Sequence, residues 1–252
     1  MKKPELAILD GDILAWKAAF VAEEEGSLAI SNLLSGLVHK WTPKGATDVV
    51  IALSCDKKHN FRRDVFPAYK DNRKDVYKPE HLTDCFDALK EEYSYLIYPK
   101  LEADDVLGIF CSEGEGISVT IDKDLRGVKG WHLNPEKEKE PVFISEEQAE
   151  RWFCTQWMAG DSTDGIPGLW RVGVKTAEKF LDEWDTEDWH SKIRELYTEG
   201  KHVPQKEYEG VDDLYTVMGQ CVRILSWENY DKDTQIITMW TPKDGLLEQQ
   251  EI

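Results

Sequence analysis

Cysteine is scarce in this chain of 252 residues, and its placement excludes as much as its number. Cys55, Cys85, Cys111, Cys154 and Cys221 are odd in number, far apart and without a Cys-x-x-Cys pair. That spacing argues against a disulfide framework and against a zinc site, and leaves reduced, buried thiols. Histidine is as thin: His39, His59, His81, His132, His190 and His202 show no His-x-x-x-His or His-Glu pairing and read as ordinary surface or core residues. No stretch approaches 18 uninterrupted apolar residues, so no membrane span is expected. Met1 to Glu5 leads straight into a strand-like run without a signal-peptide cleavage pattern, which places the expected site of action in the cytoplasm. Internal repeats and low-complexity linkers are absent too. Positive charge is in deficit: 31 Lys and Arg against 49 Asp and Glu leave a net charge of −18, which on its own speaks against a nucleic-acid partner. What remains is the composition of a soluble enzyme, with 41% apolar residues to bury a core in one large domain or two small ones.

The acid is unevenly placed. Nine carboxylates fall in five tight clusters, and three clusters come just after an apolar, strand-like run. Asp10 follows Leu6 to Leu9, Asp56 follows Val49 to Leu53 at a short remove, and Asp122 and Asp124 follow Ile117 to Ile121. Glu102, Asp104 and Asp105 open a helical pattern, and Asp161 and Asp164 close another. Ligands of an open α/β sheet gather outside the carboxyl ends of its strands. Carboxylates converging there repel one another unless hard cations neutralise them. The pattern predicts a Mg²⁺ site for two ions and points to phosphate chemistry.

The base is also local. From Lys57 to Lys78 stand eight basic residues (Lys57, Lys58, Arg62, Arg63, Lys70, Arg73, Lys74, Lys78) against three acidic ones. Phe61, Phe66, Tyr69 and Tyr77 are interleaved with them, as groups on which bases or sugars could stack. A plain solvated basic face is the competing reading.

The apolar pattern alternates β and α units, as in a mostly parallel sheet. Strands are expected at 5–10, 48–54, 94–98 and 117–122, with weaker ones near 130–133 and 141–144. Helices are expected over Ile13 to Val21, Ser27 to Lys40, Thr83 to Tyr93 and Asp105 to Cys111. Ser145-Glu146-Glu147-Gln148 has the spacing of a capping box, so a helix should run from Glu146 to about Ala159. The chain beyond looks helical and ends in a strand pair at Ile236 to Trp240. Gly160 to Gly168 is turn-rich, and a new helix starts near Lys175. Two helices joined by a glycine-bearing loop present N–H groups to an anion such as a DNA phosphate, without reading its base.

In order along about residues 6–181 come Leu9-Asp10-Gly11, Asp56 with Phe61-Arg62, Tyr69-Lys70-x-x-Arg73, Glu102-Ala103-Asp104-Asp105, Asp122-Lys123-Asp124, and Gly160-Asp161 through Gly168 with Val172-Gly173 and Lys175-Thr176-Ala177. These six motifs resemble the 5′-nuclease (flap endonuclease-like, PIN-like) superfamily, which includes the 5′-nuclease domain of bacterial DNA polymerase I and phage 5′→3′ exonucleases. Asp10-Gly11-Asp12 and the tail Val222 to Leu225 with Thr238 to Trp240 look most like the stand-alone exonucleases of podoviruses. The resemblance implies an α/β fold with a mostly parallel twisted sheet flanked by helices. It implies a catalytic core over 1–145, and over 146–252 a helical DNA-binding subdomain with a helix–three-turn–helix and a C-terminal return to the core. Asp10, Asp56, Glu102 and Asp104, with Asp105 beside them, match the inner metal carboxylates. Asp122, Asp124, Asp161 and Asp164 match a second group whose ions are held more loosely. Lys70 and Arg73 match the basic pair that grips the scissile phosphate. Lys57, Lys58, Arg62 and Tyr69 fall on the DNA side, Tyr69 against a terminal base. Gly168, Arg171, Gly173, Lys175 and Thr176 match the duplex-holding hairpin, which often carries K⁺ in the family. The implied activity is 5′→3′ exonuclease and flap endonuclease with Mg²⁺, Mn²⁺ substituting. The implied partners are duplex DNA with a 5′ end, nick or flap, RNA–DNA hybrids and replication proteins, in a host bacterium if the chain is phage-encoded.

The chain departs from that pattern in places. Asp12, where many relatives have Ser, is a further metal ligand or an N-cap, the cap being preferred. Trp170 and Arg171 replace small residues in the hairpin loop. Lys74 to Thr83 is short for the helical arch through which larger relatives thread a 5′ end. The remaining tryptophans read as core. Two rival classes stay in view: a non-catalytic DNA-binding relative, and a Mg²⁺ phosphatase with an aspartyl nucleophile. The latter needs Thr or Val where Leu14 stands.

Overall fold

A computed structural model describes residues 2–26, 29–56, 59–204, 208, 211 and 213–243. Lys57 and Lys58 lie outside the described residues, as does Ser27. The chain divides into two compact units that share it in alternating pieces. The first takes 1–61, 76–149 and 224–238; the second takes 62–75, 150–223 and the described residues from 239 onward. No described helix is long and apolar enough to cross a membrane.

The first unit is built on six strands: β1 (Leu6–Asp10), β2 (Asp48–Ala52), β3 (Tyr95–Leu96), β4 (Ile117–Val119), β5 (Gly130–Leu133) and β6 (Val142–Ile144). They lie in the order β3-β2-β1-β4-β5-β6, all parallel except β6. Helices α1 (Gly11–Glu25) and α2 (Ile30–Trp41) connect β1 to β2. Short α3 (Phe61–Val65) follows, with all but its first residue in the second unit; α4 (Leu82–Glu92) leads to β3 and α5 (Ala103–Glu113) to β4. Ala15, Ala18 and Ala19 of α1 share a core with Leu34, Val38 and Trp41 of α2, Cys85 and Leu89 of α4, and Ala7 and Leu9 of β1. Small alanines let these helices approach closely, and burial of the alternate Ile8 as well marks a strand covered on both faces. The order of strands reverses between β1 and β4, which pair Leu9 with Val119. At such a switch point the ends of neighbouring strands open a crevice.

The second unit holds the described remainder of α6 (Glu146–Ala159), the short pair β7 (Gly160–Asp161) and β8 (Ile166–Pro167), and helices α7 (Val174–Glu183), α8 (Trp189–Thr198) and α9 (Leu214–Val222). Its core is aromatic. Trp157 is fully buried, donates Nε1–H to the Tyr215 carbonyl at 2.7 Å, and meets Phe153, Tyr215 and Trp240 at ring-centroid distances of 5.4, 4.5 and 4.9 Å. Back in the first unit, β9 (Tyr230–Asp231) pairs with β10 (Ile236–Ile237).

The alternating α/β plan and the mostly parallel sheet agree with the sequence reading. The Ser145 box is present in both directions, with Gln148 N–H donating to Ser145 Oγ at 3.2 Å and Ser145 N–H to Gln148 Oε1 at 2.9 Å, and α6 runs from Glu146 to Ala159 as expected. Several strands end earlier than their apolar runs. β4 stops at Val119 because Thr120 and Asp122 use their side chains to accept from Asp122 N–H and Asp124 N–H, at 3.0 and 2.9 Å. The C-terminal pair uses Tyr230–Asp231 as the partner of Ile236–Ile237 rather than extending to Trp240.

Candidate functional site

Four segments of the first unit bring acidic side chains to the carboxyl edge of the sheet: the end of β1, the segment after β2, the start of α5 and the turn after β4. Asp10 is the last residue of β1 and also caps α1, its Oδ1 accepting from Ile13 N–H at 3.1 Å. Its Oδ2 accepts from the Thr120 hydroxyl at 2.7 Å, which ties β1 to the β4 turn across the switch point. Gly11 makes this possible: a Cβ there would lie 2.4 Å from Ile51 and 2.8 Å from the Ala52 carbonyl, so only glycine lets α1 start against β2. Asp12 Oδ1 accepts from Ser54 N–H at 3.1 Å, and Ser54 Oγ in turn accepts from Ala103 N–H at 2.9 Å, joining the ends of β1 and β2 to the start of α5. Asp10, not Asp12, is therefore the cap of α1, a correction with a simple reason. The helix begins two residues earlier than its apolar periodicity suggests, and Asp12 already lies inside it.

Burial and charge act together at this edge. Asp10 is 2% exposed, and its carboxyl is pushed up to about 7, chiefly by burial, then by Asp12, with Asp122 adding to both. Cys55, half-buried, has its thiol pushed up by burial and by the charges of Glu102, Asp105 and Asp56, which places those three carboxylates around it. Asp105 is fully buried and holds two backbone donors, Glu102 N–H at 3.2 Å and Leu225 N–H at 3.1 Å. Those bonds make it the anchor of the α5 start, whereas Asp56 is open to solvent and Asp104 is half-buried. All the donors are carboxylate oxygens, the set that hard divalent cations prefer.

Among the described residues, the one trio of His, Cys, Asp or Glu whose ligand atoms all lie within 4.8 Å of each other is elsewhere: Glu150, Cys154 and His190 in the second unit. Its hydrogen bonds argue against a metal. His190 Nδ1 accepts from Lys243 N–H at 2.9 Å, which puts the ring proton on Nε2, 2.8 Å from Glu150 Oε1. No ring lone pair is left to a cation, and the Arg223 guanidinium already sits 3.5 Å from Glu150 Oε2.

Asp161 and Asp164 belong to the second unit, where they organise a different cluster. Asp161 Oδ1 accepts from Thr163 N–H at 2.7 Å and shapes the turn between β7 and β8. The Asp164 carboxylate receives the Tyr69 hydroxyl at 3.1 Å, Lys70 Nζ at 3.4 Å and an Arg73 guanidinium nitrogen. Lys70 adopts a left-handed backbone (φ 57°, ψ 20°), uncommon for a residue with a Cβ, and its N–H donates to the Asp164 carbonyl at 2.7 Å. Asn72, missed in the sequence, donates Nδ2–H to the carbonyls of Ser162 and Thr163 at 2.9 and 3.1 Å.

Two expectations for this segment are overturned. Tyr69 is 2% exposed, with its hydroxyl on Asp164, so it offers no face to a terminal base. Arg62 is 1% exposed; its Nε and Nη2 donate to the carbonyls of Cys221 and Arg223, both at 2.8 Å. It closes the C-terminal end of α9 and takes no place on a DNA-facing surface. Lys70 and Arg73 retain partial exposure, their side chains at 20% and 41%.

The hairpin loop leads into α7 through Gly173, its N-cap, where an added Cβ would meet nothing within 4 Å. Lys175 is exposed and Thr176 half-buried in the first turn. Gly168 has a packing reason instead, since a Cβ would lie 2.3 Å from the Ala159 backbone. Arg171, exposed and in a left-handed conformation (φ 57°), places its guanidinium 5.4 Å from the ring centre of the exposed Trp170. Ser54 and Thr120 are the other supports that sequence reading passed over; each is the first polar residue after a strand, which is the only local hint they give.

Comparison with known proteins agrees with this arrangement. Residues 5–148 match the family described as 5′–3′ exonuclease, N-terminal resolvase-like domain. The exodeoxyribonuclease of Enterobacteria phage T3 is 26% identical over 94% of this chain and 93% of its own length, and the exonuclease of Escherichia phage T7 matches to the same extent. Among solved structures, a bacteriophage T5 protein co-crystallised with metal ions superposes with a TM-score of 0.63 at 18% identity, over 86% of this chain and 88% of that one. The T5 5′-exonuclease with bound zinc gives 0.59 at 16% identity over the same shares. The match over residues 5–148 spans more than half of the 252 residues, and the chain belongs to the 5′–3′ exonuclease family through this resolvase-like domain.

Proposed function

We propose that the chain is a divalent-metal-dependent 5′→3′ exonuclease and structure-specific flap endonuclease that hydrolyses phosphodiester bonds at 5′ ends, nicks or flaps of duplex DNA, and of RNA paired to DNA, in phage replication, primer removal or recombination. The observation that carries it is the acidic edge supplied by β1, β2, α5 and β4, where burial, Asp12 and Asp122 push the Asp10 carboxyl up to about 7 and Glu102, Asp105 and Asp56 lie about Cys55. Asp10, Asp56, Glu102 and Asp104 would hold the inner cations, Mg²⁺ by preference with Mn²⁺ substituting. Asp122 and Asp124 would hold the outer ones, and Asp105 would fix the helix that carries Glu102 and Asp104. Cations bound there lower the pKa of a water and stabilise a leaving oxygen.

The protein's own groups supply the rest. Thr120 holds Asp10 through one oxygen and Ile13 N–H holds the other, so the carboxylate turns as little as a fixed ligand should. The same bonds disfavour an aspartyl nucleophile, which needs a free oxygen for attack. Lys70 and Arg73 set positive charge where it offsets charge developing on the phosphate. Backbone N–H groups at Gly173 to Thr176, at the start of α7, would hold a duplex phosphate without reading sequence, with K⁺ at the same hairpin. The 62–75, 150–223 unit thus would hold the DNA and supply Lys70 and Arg73, and the sheet unit would hold the cations.

A 5′-labelled flap, a nicked duplex and an RNA–DNA hybrid, each incubated with Mg²⁺, Mn²⁺ or EDTA, test this reading. Cleavage from the 5′ side that needs the divalent ion is expected. Duplex binding with no cleavage under either ion would make the chain a non-catalytic relative.

A further inference from the structure

We propose that Asp164 is an internal stand-in for a substrate phosphate: it holds Lys70 and Arg73 in their working positions before DNA arrives and gives them up when a phosphate enters. The inference rests on the nuclease reading above, and every residue in it lies in the second unit.

Three side chains from one short stretch, Tyr69, Lys70 and Arg73, converge on a single carboxylate. Anchoring of the 161–165 turn does not require that convergence. Backbone and amide contacts already fasten the two segments: Lys70 N–H to the Asp164 carbonyl, Asn72 to the Ser162 and Thr163 carbonyls, and Arg73 Nε–H to the Thr163 carbonyl at 2.9 Å. The ion pairs come in addition to these.

Their geometry suits exchange. Arg73 is fixed through Nε to a main-chain carbonyl, so its terminal nitrogens can pass from carboxylate to phosphate oxygens without releasing that anchor. A guanidinium fork matches carboxylate and phosphate equally well, and a lysine ammonium serves either as a point charge. Lys70 Nζ also lies 4.9 Å from the centre of the Tyr69 ring, a second support that stays when the carboxylate is exchanged. The side chains of Lys70, Arg73 and Asp164 are 20%, 41% and 17% exposed, shielded enough to be ordered and open enough for an oxyanion to reach them. The left-handed backbone of Lys70 is held by its bond to Asp164, so the ammonium is pre-aimed and not recruited from a mobile surface chain. The consequence is a substrate-free protein in which the two key cations are masked, and a phosphate must compete with Asp164 for them.

The test is DNA binding in EDTA, where cleavage and any cation-ligand role of Asp164 drop out. Affinity for a 5′-flapped duplex is measured over a salt series for the wild type, Asp164→Asn and the milder Tyr69→Phe, with thermal unfolding as a check on folding. Asp164→Asn should bind about fivefold more tightly, the worth of one partly exposed ion pair. Its plot of log affinity against log salt should be steeper by about 1 to 2, since each freed cation contributes about 0.9. Tyr69→Phe, which removes one bond to the carboxylate, should move the same way by less. Adding Lys70→Ala to Asp164→Asn should cancel most of the gain. Unchanged metal-free affinity and slope in both single variants overturns the proposal. A wild type with no salt-dependent duplex binding at all removes the nuclease reading itself, and the inference with it.

Discussion

Replacing Asp10 by asparagine should stabilise the metal-free protein at alkaline pH while abolishing cleavage. The Asp10 carboxyl, ordinarily near 3.8, is pushed up to about 7 in the folded chain by burial and by Asp12 and Asp122. An unfolded chain has neither influence and loses this proton near 3.8. Between those values the folded state keeps a proton that the unfolded state has released, so stability falls as pH rises through the window. Below about pH 4 both states are protonated and the group costs nothing; above about pH 7 the buried charge weighs fully. At 1.36 kcal/mol per pH unit, the interval amounts to about 4 kcal/mol. Asparagine has no charge to bury. Its Oδ1 can still accept from Ile13 N–H, and its amide can donate to Thr120 Oγ, which has a lone pair to spare beyond the one facing Asp122 N–H. Urea unfolding in EDTA at pH 5 and pH 8 measures the effect. The wild type should lose stability between the two and Asp10→Asn should lose much less, so the variant overtakes the wild type at pH 8. A variant equally destabilised at both pH values would refute the reasoning, because the carboxylate would then be a net support and not a strained, cation-seeking group. Such a trade between stability and activity is what a ligand site built from repelling charges should display.

Two further substitutions check other parts of the site. Arg62→Met removes the two bonds that close α9 and strands the Cys221 and Arg223 carbonyls. It should cost about 3 kcal/mol in denaturant unfolding, while the salt dependence of DNA binding stays unchanged; a slope reduced by about 1 would put Arg62 back on the DNA side. Gly173→Asp fits open space at an ordinary φ of −104° and supplies a better N-cap, so stability should hold or rise by a few tenths of a kcal/mol. The added charge stands where a phosphate would meet the start of α7 and should weaken duplex binding about tenfold; undiminished affinity would remove the hairpin from the DNA contact.

How far the sequence could be read depended on the range of the physics involved. The helix Glu146–Ala159 was legible because Ser145 and Gln148 fix its start within four residues. The α/β plan was legible from apolar runs, and the family from motifs at the strand ends where carboxylates must stand. Arg62 and Tyr69 were misread for the opposite reason. Within 57–78 they look like their basic and aromatic neighbours, and what buries them is Cys221, Arg223 and Asp164, some 90 to 160 positions away. Asp12 was misplaced by two residues, enough to exchange a cap for a brace on Ser54. The shortened β4 shows the same limit: Ile117 to Ile121 reads as one strand until Thr120 and Asp122 turn their oxygens on the main chain.

The bond from Leu225 N–H to buried Asp105 has a consequence in time. Residues 1–149 contain Asp10, Asp56, Glu102 and Asp104, yet Asp105 waits for a partner 120 positions further along the chain. Gly108 tells the same story, since its missing Cβ leaves room for the Leu225 carbonyl. During synthesis, which proceeds from the N-terminus, the strands and the acidic edge can emerge long before the segment that pins the start of α5. A growing chain therefore carries this acidic edge without its final brace until Leu225 has left the ribosome. The order of the sequence itself keeps the enzyme incomplete while it is being made.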